Sequence, residues 1–298
     1  MDATVKGLVP SDEYVVRAFV TNGINTVYSE EKHFSTSSEE RIVIFRDVNF
    51  KALILEGYDS NDDGQISTDE ALTVTKLNLC TDNISSLEGI ECFPNLTHLT
   101  CSGSGGLSRT GGLTELDLTA NNRLRELNVE GNKLKELLLP KNDSRMEVIH
   151  CVNNRLTSLD LSGCPQLRFY GGNNLPLPDV PDFSHNPNLD SIHICGSGGA
   201  KYIDKDFFRD WPNVRDFQIG LYRGETIDLS LNSKMEHLWM GDMSNVRILD
   251  LSASPNLKYI DLAGDKVLEK VYVHKDVDIS RLEVRTDDEV HAEILYKP

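Results

Sequence analysis

The residues best suited to chemistry lie in one acidic segment, Asp59–Glu70 (DSNDDGQISTDE). Ca²⁺ takes about six to eight oxygen ligands, which a twelve-residue loop supplies from fixed positions. The predicted metal ligands are, in order, Asp59, Asn61, Asp63, Gln65, Ser67 and Glu70. Gln65 would contribute its backbone carbonyl, and Gly64 stands at position six, where the loop must turn sharply. The spacing therefore predicts bound calcium.

Helices are predicted on both sides of this loop. Asp47 is a predicted N-cap for the segment that follows it, and Ser67 and Glu70 have the spacing of a capping box for the second helix. A metal-bound Glu70 could not also act as that cap, so the two roles compete. Calcium sensors usually pair two such loops and this chain has one, which favours a structural ion. An acidic surface turn without metal is the alternative.

Other reactive residues form no recognisable catalytic pattern. His193 and Cys195 lie on one strand face, but no third group is available to orient a nucleophile and its base. The six cysteines include no CxxC pair, so a zinc ribbon or redox pair is not predicted. Cys101 and Cys151 are predicted to be small buried apolar residues. We expect a protein that is not an enzyme.

The composition limits the choice of partners. The chain has 298 residues, with 47 acidic against 30 basic and a formal charge of −17. This charge disfavours nucleic acids and anionic membrane surfaces. No apolar run approaches the roughly 20 residues of a membrane span, so no membrane insertion is expected. The first residues lack the pattern of a signal peptide.

A repeat begins near residue 84 and dominates the rest of the chain. Its units place apolar residues at offsets 0, 3 and 5, as in Leu124, Leu127 and Val129, with Asn132 further on. Eight units start at Asn95, Arg123, Arg145, Gln166, Asn188, Asn213, Lys234 and Asn256. The pattern resembles the leucine-rich repeat, closest to the compact variety of bacterial surface proteins. That resemblance implies an α/β-type solenoid, mostly β, wound as a right-handed superhelix whose stacked turns share one core.

The resemblance extends upstream and suggests three segments. Residues 38–83 resemble an EF-hand-like helical cap that similar bacterial repeat proteins carry before their first repeat, so structural Ca²⁺ would fix this cap. Residues 84–298 would hold the repeats and closing strands. In residues 1–37, the spacing of Leu8, Pro10 and Tyr14 resembles the tyrosine corner of a fibronectin type III domain. Two or three strands cannot close a sandwich, so we expect a fragment of a longer protein.

Side chains at offsets 2 and 4 of each unit should point outward from the strands. The predicted ligand-binding residues on this surface are His150, Phe169, His193, Asp216, Gln218, His237, Trp239 and Tyr259. The intervening half-repeats instead show a uniform aspartate at offset 4: Asp117, Asp160, Asp228 and Asp250. The varied, aromatic surface favours recognition of a protein or glycan, and the family pattern implies that it is the concave face. Ordinary solvated strand positions are the alternative interpretation.

The expected function is therefore non-catalytic extracellular or cell-surface recognition and adhesion by a monomer. Two alternatives stay open. The chain could be a structural spacer in a larger surface protein, or the remainder of a hydrolase whose catalytic domain lies elsewhere.

Overall fold

The computed structural model describes residues 13–35, 41–104, 110–141, 144–195, 207–220, 222, 224–241 and 245–297. The predicted tyrosine-corner residues Leu8 and Pro10 lie outside these ranges. The two α-helices are α1 (Val48–Tyr58) and α2 (Thr68–Thr73). The strands are, in chain order, β1 (Glu13–Val16), β2 (Phe19–Thr21), β3 (Thr26–Tyr28), β4 (Lys32–Ser35), β5 (Lys76–Cys80), β6 (His98–Ser102), β7 (Glu115–Asp117), β8 (Glu126–Asn128), β9 (Glu136–Leu138), β10 (Val148–His150), β11 (Phe169–Gly171), β12 (Ser191–Ile194), β13 (Asp216–Gly220), β14 (His237–Gly241), β15 (Ile248–Leu251), β16 (Tyr259–Asp261), β17 (Lys270–Val273), β18 (Glu283–Arg285) and β19 (Glu293–Tyr296).

A β-solenoid accounts for most of the described chain. Ten strands form one parallel sheet, ordered β5, β6, β8, β10, β11, β12, β13, β14, β16 and β18, so order in space follows order in sequence. The intervening half-turns carry a two-stranded sheet, β7–β9, and a three-stranded sheet, β15–β17–β19. All eight predicted repeat units supply a strand to the large sheet. Its right-handed winding stays a prediction.

The large sheet is longer than the sequence pattern indicated. It begins at Lys76, inside the segment assigned to the helical cap, and ends with β18, beyond the eighth unit. The missed first strand follows the repeat spacing, because Val74, Leu77 and Leu79 are all buried at offsets 0, 3 and 5. The helices therefore lead directly into a strand of the solenoid.

The core is one continuous stripe along the inside of the turns. Leu124, Leu127 and Val129 are at most 1% exposed, and their equivalents in the other turns join the same hydrophobic cluster. Cys101 and Cys151 are fully buried in this stripe, which confirms their prediction as small core residues. Each turn buries its apolar side chains only against its neighbours, so the stack stabilises what a single repeat cannot.

Buried asparagines satisfy the backbone between turns. The amide nitrogen of Asn132 donates to the carbonyls of Cys101 and Val129 at 2.8 and 3.0 Å. Asn154 does the same one turn later, donating to Val129 and Cys151. A second series on the intervening half-turns consists of Asn121, Asn186 and Asn232. These bonds matter because an unpaired buried polar group costs about 1–3 kcal/mol.

The uniform aspartates have a structural role. Asp117 accepts hydrogen bonds from the amide and hydroxyl of Thr119 at 2.9 and 2.7 Å. The same contact with the amide two residues later is made by Asp160, Asp182, Asp228, Asp250 and Asp278. This is the Asx turn, in which a short carboxylate replaces a backbone acceptor. Local turn geometry therefore explains the uniformity of this row.

Residues 13–35 form an antiparallel hairpin. Strand β1 pairs with β4, and β2 pairs with β3. Tyr14 and Phe34 stack with ring centroids 5.9 Å apart, while Phe19 and Val20 are 63% and 78% exposed. Within the described residues this hairpin joins no further sheet. Its assignment to a fibronectin type III domain stays a prediction.

Candidate functional site

The eight predicted ligand-binding residues all lie on the outward side of the ten-stranded sheet. Phe169, Asp216, His237 and Tyr259 belong to one row of register partners across strands β11–β16. The second row, one offset further along, holds His150, Gly171, His193, Gln218, Trp239 and Asp261. Between the rows the offset-3 side chains point into the core, as Ile149 and Leu238 show. These side chains therefore share one surface of the sheet, which we call the recognition face; their role in binding a ligand stays a prediction.

Three rings form an aromatic cluster at the middle of the recognition face, with one tilted pair and one edge-to-face pair. Phe169 lies between His150 and His193, with ring centroids 4.5 and 4.8 Å apart. Gly171 lies beside this aromatic cluster. A Cβ atom at this position would come within 3.0 Å of the Phe169 ring. Burial lowers the pKa of His150, the nearby His193 lowers it further, and Glu130 and Glu126 act in the opposite sense. This aromatic cluster is therefore a partly dehydrated surface.

Ser191, His193 and Asp216 lie together, but their geometry is not that of a catalytic triad. The Ser191 hydroxyl and the Asp216 carboxylate both approach the same ring nitrogen of His193, Nε2, at 3.2 and 3.3 Å. A triad needs serine and carboxylate on opposite ring nitrogens. Burial raises the pKa of the Cys195 thiol to about 12, so this cysteine is not a thiolate nucleophile near neutral pH.

A second aromatic pair lies nearer the end of the sheet. Trp239 and Tyr259 have ring centroids 5.4 Å apart, and Trp239 is 38% exposed. Beside them Arg285 forms an ion pair with the largely buried Asp261 at 2.9 Å. We did not predict this ion pair, because Arg285 belongs to β18, outside the eight recognised units. An exposed aromatic surface next to a fixed charge pair suits polar and apolar contacts together.

Comparison with solved structures supports the same architecture. The functional domain of InlJ from Listeria monocytogenes, which includes a cysteine ladder, is similar with a TM-score of 0.50 and 20% identity. That match covers 75% of this chain and 55% of the InlJ domain. The likeness is one of fold, a leucine-rich-repeat solenoid similar to that of the InlJ domain.

Two other Listeria monocytogenes internalins give weaker matches. Internalin C2 aligns with a TM-score of 0.48 and 17% identity over 82% of this chain and 95% of its own. InlF aligns with a TM-score of 0.41 and 15% identity over 85% and 95%. No family model and no curated protein sequence matches the chain. The chain spans only about half of the InlJ domain.

The predicted calcium loop holds several of its oxygens in place through its own backbone. Asp59 accepts from the amides of Asp63 and Gly64 at 3.2 and 2.8 Å. Asn61 and Asp63 each accept from the amide two residues later. Gly64 has a φ of +78°, a value that favours glycine. These carboxylate and amide oxygens are the hard donors that calcium prefers, and they keep free lone pairs.

Both carboxylate oxygens of Glu70, the last predicted ligand, accept hydrogen bonds from serines. Its Oε1 accepts from the amide and hydroxyl of Ser60, and its Oε2 accepts from the amide and hydroxyl of Ser67. These bonds, led by that from the Ser67 amide, lower the pKa of Glu70 to about 2. The predicted capping box is therefore present. Among the described residues no three His, Cys, Asp or Glu side chains lie close enough to hold a metal ion. The loop fits calcium only in part, because Glu70 would have to exchange these hydrogen bonds.

Backbone hydrogen bonds join the predicted calcium loop to the segment that precedes α1. The Val43 amide donates to the carbonyl of Ile66, and the Thr68 amide donates to that of Arg41, both at 2.7 Å. Ile66 is fully buried in the same hydrophobic cluster as the repeats. The loop thus links the two helices to the solenoid core through these hydrogen bonds and through Ile66.

Proposed function

We propose that this chain is a recognition module of an extracellular bacterial surface protein, and that its recognition face binds a protein or glycan. The supporting observation is that the outward register rows of six neighbouring strands carry aromatic or histidine side chains on five of them, interrupted only by Asp216 and Gln218 on β13. Aromatic residues with polar tips are enriched at binding surfaces because they bury large apolar areas while keeping hydrogen bonds. No helix in the described part of the chain has the length and apolar character to span a membrane.

Two anchors would carry most of the affinity. Phe169 with its flanking histidines forms one, and Trp239 with Tyr259 forms the other. Asp216 and Gln218 are partly buried on β13, between these anchors, where they offer hydrogen bonds. Truncating one aromatic hot spot typically costs more than about 2 kcal/mol of binding free energy.

The test uses fluorescently labelled chain applied to cultured mammalian cells, with binding measured by flow cytometry. We expect saturable binding that Trp239→Ala and Phe169→Ala each weaken by at least tenfold, following about 1.4 kcal/mol per decade. Ile248→Ala is the matched control, because Ile248 is 51% exposed on the three-stranded sheet. Equal binding by all variants would reject the recognition face.

Treating the cells first separates the two ligand classes. Trypsin treatment should abolish binding to a protein, while periodate oxidation should abolish binding to a glycan. No saturable binding under any condition would favour the structural-spacer alternative.

We further propose that Ca²⁺ binds the Asp59–Glu70 loop and acts structurally. The ligands would be the side chains of Asp59, Asn61, Asp63, Ser67 and Glu70 together with the Gln65 carbonyl. The ion would supply only charge neutralisation among the loop oxygens. The orientation of Asp59, Asn61 and Asp63 by loop amides supports this proposal.

A further inference from the structure

A groove of about 430 Å³ lies over the two-stranded sheet β7–β9. The segment 86–91, which runs into a short 3-10 helix at Ile90–Cys92, forms its other wall. None of its described lining residues belongs to the ten-stranded sheet that carries the recognition face. The groove is thus separate from the proposed recognition site.

Two glutamates on the strands of this groove are placed unfavourably. Glu115 on β7 and Glu136 on β9 are direct register partners, and both are exposed. Like charges directly opposite each other destabilise a sheet. No ion pair with a lysine or arginine is found for either glutamate within the part of the chain described. The fold therefore places two exposed carboxylates side by side, and neither has an ion-pair partner in these ranges.

An exposed leucine lies next to these charges. Leu138 follows the offset of the uniform aspartates and is the register partner of Asp117. The four predicted members of that row each close an Asx turn, but Leu138 has no acceptor to do so. It is 40% exposed in the groove. This position thus gives up a local hydrogen bond and also leaves an apolar side chain in water.

The rest of the groove is also lined by both apolar side chains and carboxylates. Its floor includes the buried side chains of Leu87, Ile90 and Leu116. Its rim adds the carboxylates of Glu88, Glu91 and Asp117. Of these, Glu88 lies 3.5 Å from Arg46, and Glu91 accepts a hydrogen bond from the Gly89 amide. The result is a groove with an apolar floor and five carboxylates on its rim, including Glu115 and Glu136.

We propose that this groove binds a basic peptide segment of a partner protein. An apolar side chain of the peptide would pack on Leu138, and its lysine or arginine side chains would lie between Glu115 and Glu136. Binding would then remove the repulsion between the two glutamates and cover the exposed leucine. Charge complementarity selects this occupant, because an acidic or neutral apolar segment would leave the carboxylates unpaired.

The test is fluorescence anisotropy with a labelled peptide of alternating lysine and leucine. A glutamate–leucine peptide of the same length is the control probe. We expect saturable binding of the lysine peptide only, weakening as salt rises because the charge pairs are screened. E115Q/E136Q and Leu138→Ser should each weaken it by about tenfold, a factor typical for charge pairs and apolar anchors at interfaces.

Melting temperatures provide a second readout. Neutralising Glu115 and Glu136 together should raise the melting temperature of the free protein, because it removes a like-charge pair. Glu293→Gln is the matched control, since Glu293 is exposed on β19 opposite Lys270. It should leave peptide binding unchanged and should not raise the melting temperature.

Three results would overturn the proposal. The first is equal binding of the lysine peptide by E115Q/E136Q, and the second is equal binding of both peptides by the unaltered protein. The third is a melting-temperature rise on adding Ca²⁺ alone to D59N/D63N, in which the Asp59–Glu70 loop is disabled, that E115Q/E136Q abolishes, because the two glutamates would then hold an ion. Each result is independent of whether the recognition face binds its own ligand.

Discussion

The carboxylate of Asp47 accepts two hydrogen bonds from Ser85, one from its amide at 2.8 Å and one from its hydroxyl at 2.7 Å. The other oxygen of Asp47 caps α1 by accepting from the amides of Asn49 and Phe50. One side chain thus begins the helix and fixes it to the first turns of the solenoid. A second tie, from the Tyr58 hydroxyl to the Lys76 carbonyl, lies at the other end of α1.

The Asp47 contact predicts a specific acid sensitivity. Burial alone would raise the pKa of Asp47, but the bonds from Ser85, Phe50 and Asn49 outweigh it and lower the pKa from 3.8 to about 2. A carboxyl whose pKa is lower in the folded state stabilises the fold above its unfolded pKa. We therefore expect this contribution to be complete above about pH 5 and to disappear as the pH falls towards 2.

Urea unfolding of the protein and of Asp47→Asn between pH 6 and pH 2 measures this contribution. Asparagine keeps one acceptor for the helix cap but loses the acceptor for Ser85, so the variant should be less stable by about 1–3 kcal/mol near neutral pH. The gap should shrink below pH 4 as Asp47 itself becomes protonated. A gap that stays constant down to pH 2 would show that the charge of Asp47 contributes nothing.

Calcium removal should lower the melting temperature if the Asp59–Glu70 loop binds the ion. A ligand that binds only the folded state stabilises it by about 2.7 kcal/mol at one hundred times its Kd. We expect the melting temperature in millimolar Ca²⁺ to exceed that in EDTA, and D59N/D63N to lose this difference. Asp69→Asn is the control, because Asp69 is exposed at position eleven, which supplies no ligand. Overlapping melting curves in Ca²⁺ and EDTA would contradict structural calcium.

Asn132 should be among the most sensitive polar positions. It is fully buried, and besides its two carbonyl partners its side-chain oxygen accepts from the hydroxyl of Thr81 at 2.7 Å. Asn132→Ala leaves these groups unpaired, which should cost about 2–4 kcal/mol of unfolding free energy for more than one lost bond. Chemical denaturation measures the loss.

Asn128→Ala is the matched control for this prediction. Asn128 lies four residues earlier on the outward face of the same turn and accepts from the Glu130 amide at 3.0 Å. It is only partly buried, so water can replace its bond and the cost should stay within about 0.5 kcal/mol. Equal losses of unfolding free energy for the two variants would mean that burial does not determine how much the buried asparagines stabilise the fold.

Much of this architecture could be predicted because every repeat must bury apolar side chains at the same offsets. Offsets 0, 3 and 5 bury Leu124, Leu127 and Val129, so the alternation along a strand fixes which side chains face outward. That is why all eight predicted ligand-binding residues lie on one face. Helix α1 was predictable for a similar reason, since Asp47 at its start is a strong local capping signal.

Three features of the structure went beyond the sequence analysis, each for its own reason. Glu115 and Glu136 share one offset of their half-repeats, but only the structure shows that both are exposed without an ion-pair partner among the described residues. The aspartate row was described only as uniform, whereas Asp117 and its equivalents close turns with the serine or threonine two residues later. The capping contact between Glu70 and Ser67 was predicted, but the contact of Glu70 with Ser60 was not, because ten residues separate the two.

Thiol reactivity offers a final check on the stacking of the turns. Cys80 is exposed at the end of β5, whereas Cys101 and Cys151 are fully buried. Burial raises the pKa of both buried thiols to about 12, so they lack the thiolate form needed for alkylation. Under native conditions iodoacetamide should modify Cys80 rapidly, and mass spectrometry of peptides should find Cys101 and Cys151 modified only after denaturation. Cys80→Ser should abolish the fast phase. Rapid native modification of Cys101 or Cys151 would mean that neighbouring turns open readily, which a continuous shared core does not allow.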